Sequence, residues 1–184
     1  MGEYNEDVLI KELHDEKTKR KAFTQIINEY KERIYWQIRK MVISHEDADD
    51  VLQNTFLKAW KNINNFRGES KLSTWLYRIA INESITFINK QKQELQLSID
   101  SDDSFLAEKL ATDEFFDGDE LQELLQEAIL TLPEKQRLVF NMRYFDEIKY
   151  EEMSDMLNTS VGALKASYHI AVKKIEEFIT NKAL

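Results

Sequence analysis

The chain has 184 residues, 42% of them hydrophobic, which suits one medium domain or two small ones with packed cores. It contains no cysteine and only three scattered histidines, so disulfides and thiolate metal sites are excluded and neither a metal nor a cofactor is expected. Four glycines and one proline point to an all-α chain, and the net charge of −9 argues against tight binding to duplex DNA, which depends on phosphate neutralisation.

The first residues are polar and form no apolar secretory core. Glu6 stands where a myristoylation signal needs Ser or Thr. No run is long enough to span a membrane, and a soluble cytoplasmic protein is expected. Residues 6–42 read as one or two helices, with Phe23, Ile26, Ile27, Tyr30, Ile34, Ile38, Met41 and Val42 on one apolar stripe. Ser44 is a natural N-cap for the next helix, 44–63, and Glu46 and Asp47 in its first turn complement the helix dipole. Ala48, Val51, Leu52, Thr55, Phe56, Ala59 and Trp60 form its inward face. Asp49, Asp50, Gln53, Asn54 and Leu57 lie opposite. An apolar residue on a polar face suits a protein partner; the plainer alternative is a solvated face with one tolerated leucine.

Residues 64–73, NNFRGESKLS, form a loop with Phe66 expected outside beside Arg67, Gly68 and Lys71. The following helix is expected to be capped by Ser73 or a neighbour. Five bases and two acids lie between Arg67 and Gln93, with Phe66 just before them and Trp75 among them. Aromatics interleaved with bases fit single-stranded nucleic acid, whose bases stack on rings while cations follow the backbone. The alternative places Phe66 and Trp75 in the core. Residues 94–118 then form an acidic strap. Between Glu94 and Glu127 there are twelve acids and one base, Lys109, so the remainder of the chain is slightly basic. Leu97, Ile99, Phe105, Leu106, Phe115 and Phe116 are scattered through the strap, whose composition reads as a disordered connector.

From Asp119 helical spacing resumes through Leu121, Leu124, Leu125 and Ile129. Pro133 marks a helix start, where a missing N–H costs nothing. Leu138, Val139, Met142 and Phe145 form its expected inward face. A short helix fits Tyr150 to Leu157, with Met153, Met156 and Leu157 inward, and Asn158 supplies a left-handed stop. Ser160 then caps a last helix with Val161, Leu164, Tyr168 and Ala171 inward. Asp146 to Asp155 holds five acids and one lysine, whereas Thr159 to Ile175 has Lys165, His169, Lys173 and Lys174 and no acid. A carboxylate-free helix with Gly162 in its first turn can approach phosphates, as a helix-turn-helix recognition helix must. A three-helix packing unit with a mildly basic face is the alternative.

LPEKQRLVF, YEEMSDML and SVGALK resemble the C-terminal domain of bacterial sigma factors, specifically the extracytoplasmic-function (ECF) group. DADDVLQNTFLKAW resembles the sigma helix that docks on the clamp coiled coil of RNA polymerase, and FRGESKLSTWLYRIAIN resembles the minus-ten reader. The resemblance covers roughly residues 15–93 and 120–178. It implies polymerase contacts at Asp49, Asp50, Gln53, Asn54 and Leu57. It implies minus-ten contacts at Asn65, Phe66, Arg67, Gly68, Lys71, Ser73, Thr74, Trp75, Arg78 and Asn82, with a flipped base captured by the loop. It implies minus-thirty-five contacts at Ser160, Val161, Gly162, Ala163, Lys165, Ala166, Ser167 and His169. The strap would thread the polymerase active-site and RNA-exit path. Where the family usually has arginine, this chain has Ser167, Ile170 and Val172, so phosphate contacts in the last helix are thinner.

The expected fold is therefore all-α. An N-terminal region-2-like domain (1–93) is joined by an acidic linker (94–118) to a C-terminal region-4-like helix-turn-helix domain (119–184). The expected partners are core RNA polymerase, promoter DNA as duplex and opened non-template strand, and, by resemblance, an anti-sigma factor. No membrane insertion and no small-molecule substrate are expected. No nucleophile–base pair or metal-ligand set is visible, so no enzymatic activity is expected. Two rivals use the same residues: a stand-alone helix-turn-helix regulator, and a helical adaptor that binds polymerase without reading DNA.

Overall fold

The computed structural model describes residues 6–95, Leu106, Lys109 and residues 120–182. Among them every regular element is helical. The stretch 6–42 divides into α1 (Glu6–Leu13) and α2 (Lys19–Val42). The turn between them is held by the Thr18 hydroxyl, which donates to the Glu12 carbonyl at 2.8 Å. The α2 stripe is buried as its spacing requires, with Ile26, Ile34 and Ile38 wholly enclosed. Helix α3 (His45–Asn62) follows after a tight corner, and the Ser44 hydroxyl accepts from the Asp47 N–H at 3.4 Å. That corner puts Ile43 at φ 71°, an unfavourable setting for a β-branched residue. Its side chain is 1% exposed, so core burial offsets the backbone cost.

One 3-10 turn (Ile63–Asn65) and a loop lead to α4 (Leu72–Glu94). Lys71, not Ser73, occupies the N-cap, and Ser73 lies inside the first turn with no capping bond made there by a side chain. Helices α2, α3 and α4 pack against one another, and α1 lies on α2. Phe23 anchors this bundle edge-on to Trp60, at 5.0 Å between ring centres.

Most of the acidic strap, including Leu97, Ile99, Phe105, Phe115 and Phe116, lies outside the described residues. Leu106 is fully enclosed in the N-terminal core. The Lys109 ammonium bridges Asp47 at 2.5 Å and the Gln91 side-chain carbonyl at 2.9 Å. The one base of the strap thus fastens it to the start of α3 and the end of α4.

The C-terminal part comprises α5 (Glu120–Leu130), α6 (Glu134–Tyr144), α7 (Tyr150–Leu157) and α8 (Val161–Lys182). Pro133 stands at the N-cap of α6. Asn158 ends α7 in the left-handed conformation, φ 49° and ψ 45°. Helix α8 packs across the other three. Ala128, Ile129, Leu132, Phe140, Ala171 and Ile175 form the core shared by α5, α6 and α8, with Phe140 stacked on Tyr168 at 5.7 Å. Phe145 is not inward as its spacing suggested. Helix α6 stops at Tyr144, and the C-cap position turns Phe145 outward to 40% exposure. Ile148 is buried instead, tied back by its N–H to the Met142 carbonyl at 3.0 Å.

The two helical groups touch. Helix α7 packs on α4 and α6 on α2. Leu138, Val139, Met142, Met153 and Met156 join the N-terminal core in one continuous apolar seam.

Candidate nucleic-acid interface

Three surfaces carry the residues singled out by sequence. The first is the outer face of α3. Asp49, Asp50, Gln53, Asn54 and Leu57 are all exposed there, Leu57 by 51%. An open groove of about 730 Å³ runs between α2 and α3. Its floor is apolar, made by Phe23, Ile27, Leu52, Phe56 and Trp60; Asp49, Asp50 and Gln53 stand on one lip with Leu57, and Arg20 and Lys31 on the other. An apolar trough with charged lips suits a protein helix. The α3 pattern disclosed one lip. The α2 side was missed because Phe23 and Ile27 read equally well as plain core.

The second surface is the loop before α4. Asn65, Arg67, Gly68 and Lys71 are exposed, and Gly68 takes φ +72°, which a side chain would strain. Phe66 is not an exposed aromatic: it is 4% exposed and lies 5.1 Å from the half-buried Trp75. Together these rings form the floor of an open polar cavity of about 470 Å³, walled by Asn64, Asn65, Arg67, Glu69, Ser70 and Arg78. A floor of rings beneath guanidinium and amide groups can hold a base. Thr74, one of the expected contacts, is 6% exposed and turned into the seam between domains. Ser73 is half-buried and Asn82 is exposed.

Part of this surface is covered. Lys71 pairs with Glu152 of α7 at 3.1 Å. The Arg78 guanidinium donates to the carbonyls of Asp155 and Met156, the latter at 3.3 Å. These carbonyls belong to the last turn of α7, where the helix dipole is negative. Nearby, Lys40 of α2 pairs with Asp146 and lies 5.2 Å from the Phe145 ring centre. Burial pushes the Asp146 carboxyl above its ordinary range, and the Lys40 hydrogen bond and charge pull it back only in part. Burial, followed by the Asp146 charge, likewise pushes Tyr77 up. None of these pairings has a local sequence signal.

The third surface is α8. The Ser160 hydroxyl accepts from the Ala163 N–H at 3.3 Å, the cap its sequence anticipates. Gly162, Ala163, Lys165, Ala166 and His169 are exposed, and Val161 and Ser167 are half-buried. The Lys165 ammonium lies 5.7 Å from the Tyr150 ring centre. Ala163 and Ser167 face α4 across a cleft of about 550 Å³ shared with Ile85, Leu138 and Leu157. This face of α8 is thus only partly turned to solvent. Among the described residues, no cluster of three or more His, Asp or Glu side chains could hold a metal ion. No described helix is long and apolar enough to cross a membrane.

Comparison with known proteins gives concordant matches. The family model for sigma-70 region 2 matches residues 26–94, and that for sigma-70 region 4 matches residues 122–175. The ECF RNA polymerase sigma factor SigW of Bacillus subtilis (strain 168) is 34% identical over 156 residues, covering 80% of this chain and 83% of that protein. The ECF RNA polymerase sigma-E factor of Escherichia coli (strain K12) is 28% identical over 175 residues, covering 91% and 89%. Among solved structures, CnrH in complex with the cytosolic domain of CnrY shares the fold with a TM-score of 0.69 at 19% identity, covering 96% of this chain and 97% of that one. The sigma factor RpoE in complex with the anti-sigma factor NepR from Bartonella quintana does so with a TM-score of 0.66 at 20% identity, covering 87% and 98%.

Proposed function

This chain belongs to the ECF RNA polymerase sigma factors, and from that premise we propose how its surface divides the work. The chain binds core RNA polymerase and directs promoter recognition. The α2–α3 groove, with Asp49, Asp50, Gln53, Asn54 and Leu57, receives a helix of the polymerase. The cavity over Phe66 and Trp75 takes a base from the opened minus-ten strand, with Asn65, Arg67, Gly68, Lys71, Ser73, Arg78 and Asn82 around its path and Thr74 behind it. The start of α8, from Ser160 through Gly162, Lys165 and His169, reads the minus-thirty-five duplex, with Val161, Ala163, Ala166 and Ser167 at its contact face. We set the domain limits at 1–93 and 119–184 with the linker 94–118 between them, and assign the chain to the cytoplasm. Sigma factors are not enzymes; we assign nucleotide addition to the polymerase. An anti-sigma factor is a further partner of this kind of protein.

The observation that carries the division is the α2–α3 groove, an apolar trough beneath the exposed Asp49–Leu57 face. Binding to a promoter fragment selected from a random pool, measured at moderate salt with and without bacterial core polymerase, tests it. Specific binding is expected only with core. Asp50→Ala and Gln53→Ala should weaken core binding, while Lys165→Ala leaves it unchanged and weakens promoter binding by about 1 kcal/mol, a modest base or phosphate contact. Core binding untouched by both α3 changes would remove the groove assignment.

A further inference from the structure

Trp36 has no place in the assignments above, yet it is 53% exposed in the middle of α2. It falls off the apolar stripe that Ile34 and Ile38 define. Its ring is held upright by Tyr35, edge-on at 5.3 Å, and the Tyr35 hydroxyl is in turn fixed by His45 Nδ1 at 2.6 Å. Arg33 precedes it by one turn and Lys40 follows by one turn, so a cation flanks the ring on each side.

Across from α2 stand Ser73, Thr74 and Tyr77 of α4, and these six residues form one wall of a cavity of about 560 Å³. That wall contains two bases, two aromatics and two hydroxyls, and no acid. The opposite wall comes from the C-terminal domain and carries Asp146, Glu147 and Glu152. The acids face the bases, and Asp146 pairs directly with Lys40. A line of carboxylates set against a ring between two cations has the charge pattern that a phosphodiester backbone would present. Ser73 and Thr74 make the cavity continuous with the proposed path of the minus-ten strand.

We propose that Arg33, Trp36 and Lys40 of α2, with Tyr77 of α4, form a further single-stranded DNA subsite, where Trp36 stacks a base of the opened promoter strand. The acidic segment from Asp146 to Glu152 occupies this subsite in the closed chain. The inference rests on the minus-ten assignment and extends the strand beyond the Phe66 cavity onto α2. Ring stacking supplies contact with any base, and the cations hold the flanking phosphates.

The test uses the full chain assembled with core polymerase and a selected promoter fragment carrying a mismatched bubble over the opened region. Trp36→Ala is expected to weaken bubble binding about tenfold, the loss of one stacked base, and Trp36→Phe to recover most of it. Arg33→Ala should weaken it less and reduce its salt dependence. Core affinity and thermal midpoint should stay unchanged, because both side chains are exposed. If Trp36→Ala and Arg33→Ala leave bubble binding intact while Arg67→Ala reduces it, the α2 subsite is overturned and the minus-ten assignment stands. If Arg67→Ala also has no effect, the minus-ten assignment falls and the subsite with it.

Discussion

Gln37 sits in the middle of α2 with no exposure, and neither of its amide atoms meets a hydrogen-bond partner among the described residues. A buried amide without partners costs free energy that an apolar side chain of the same shape does not. Gln37→Met should therefore stabilise the chain by about 1 kcal/mol and raise the thermal midpoint by about 2–4 °C; a lower midpoint in a melting curve would refute this. Asp146 presents the opposite case, a charge with a partner but too little compensation. Lys40 on α2 engages one carboxylate oxygen, Tyr77 on α4 stands nearby, and the second oxygen is buried with no partner among the described residues. Its carboxyl lies above the ordinary 3.8 because burial outweighs Lys40. A carboxyl that holds its proton more tightly when the domains touch favours contact below 3.8 and loses that contribution as pH rises through the raised value. At neutral pH, Asp146→Asn should then increase the closed population and flatten its response in the acid range. Energy transfer between dyes on the two domains, followed from about pH 4 to 7, measures both effects; a more open variant would contradict the sign.

At the level of elements, local chemistry decides where helices begin and end, which is why so much of it could be read in advance. Ser44 and Ser160 make the capping bonds that their positions imply, and Asn158 adopts the left-handed conformation. Ser160→Ala should cost about 1 kcal/mol in the stability of the C-terminal domain. Asn158→Gly should be nearly neutral, whereas Asn158→Ala should cost about 1–2 kcal/mol at this left-handed position; denaturant titrations would distinguish the three. Periodicity failed where an element stopped. Phe145 continues the α6 pattern by count, but the helix ends one residue earlier and the ring turns outward. Phe66 failed for a related reason. Loop composition shows that a ring and a cation are adjacent but not which way the ring faces, and the partner that draws it in, Trp75, is fixed only by the tertiary fold.

At the scale of the whole molecule, what could not be read is the relation between the halves. Lys40 meets Asp146 across 106 positions and Arg78 meets Asp155 across 77. No periodic pattern encodes pairs so far apart. The concentrated acid of residues 146–155 was legible as a property of the helix-turn-helix, but its role in facing the basic surface of α2 and α4 was not. Lys71, Arg78 and Lys40 are held by α7 and the turn before it, so the closed chain engages cations that the proposed DNA contacts call for. Glu152→Arg should set like charges against Lys71 and expand the free chain, seen as a larger radius of gyration by small-angle scattering; an unchanged radius would show that the apolar seam alone holds the domains.

The Lys109 bridge to Asp47 and Gln91, with Leu106 buried beside it, shortens the tether between the halves. While that anchor holds, only the ten residues between Lys109 and Glu120 separate the N-terminal body from the C-terminal helices. Such a length reaches at most about 40 Å, and short tethers confine their ends at an effective concentration on the order of millimolar. An interface with a dissociation constant near that value would already be half closed within one chain, although the same two domains cut apart would scarcely associate at micromolar concentration. A short tether thus makes the closed contact more populated than the strength of its seam and ion pairs alone would give.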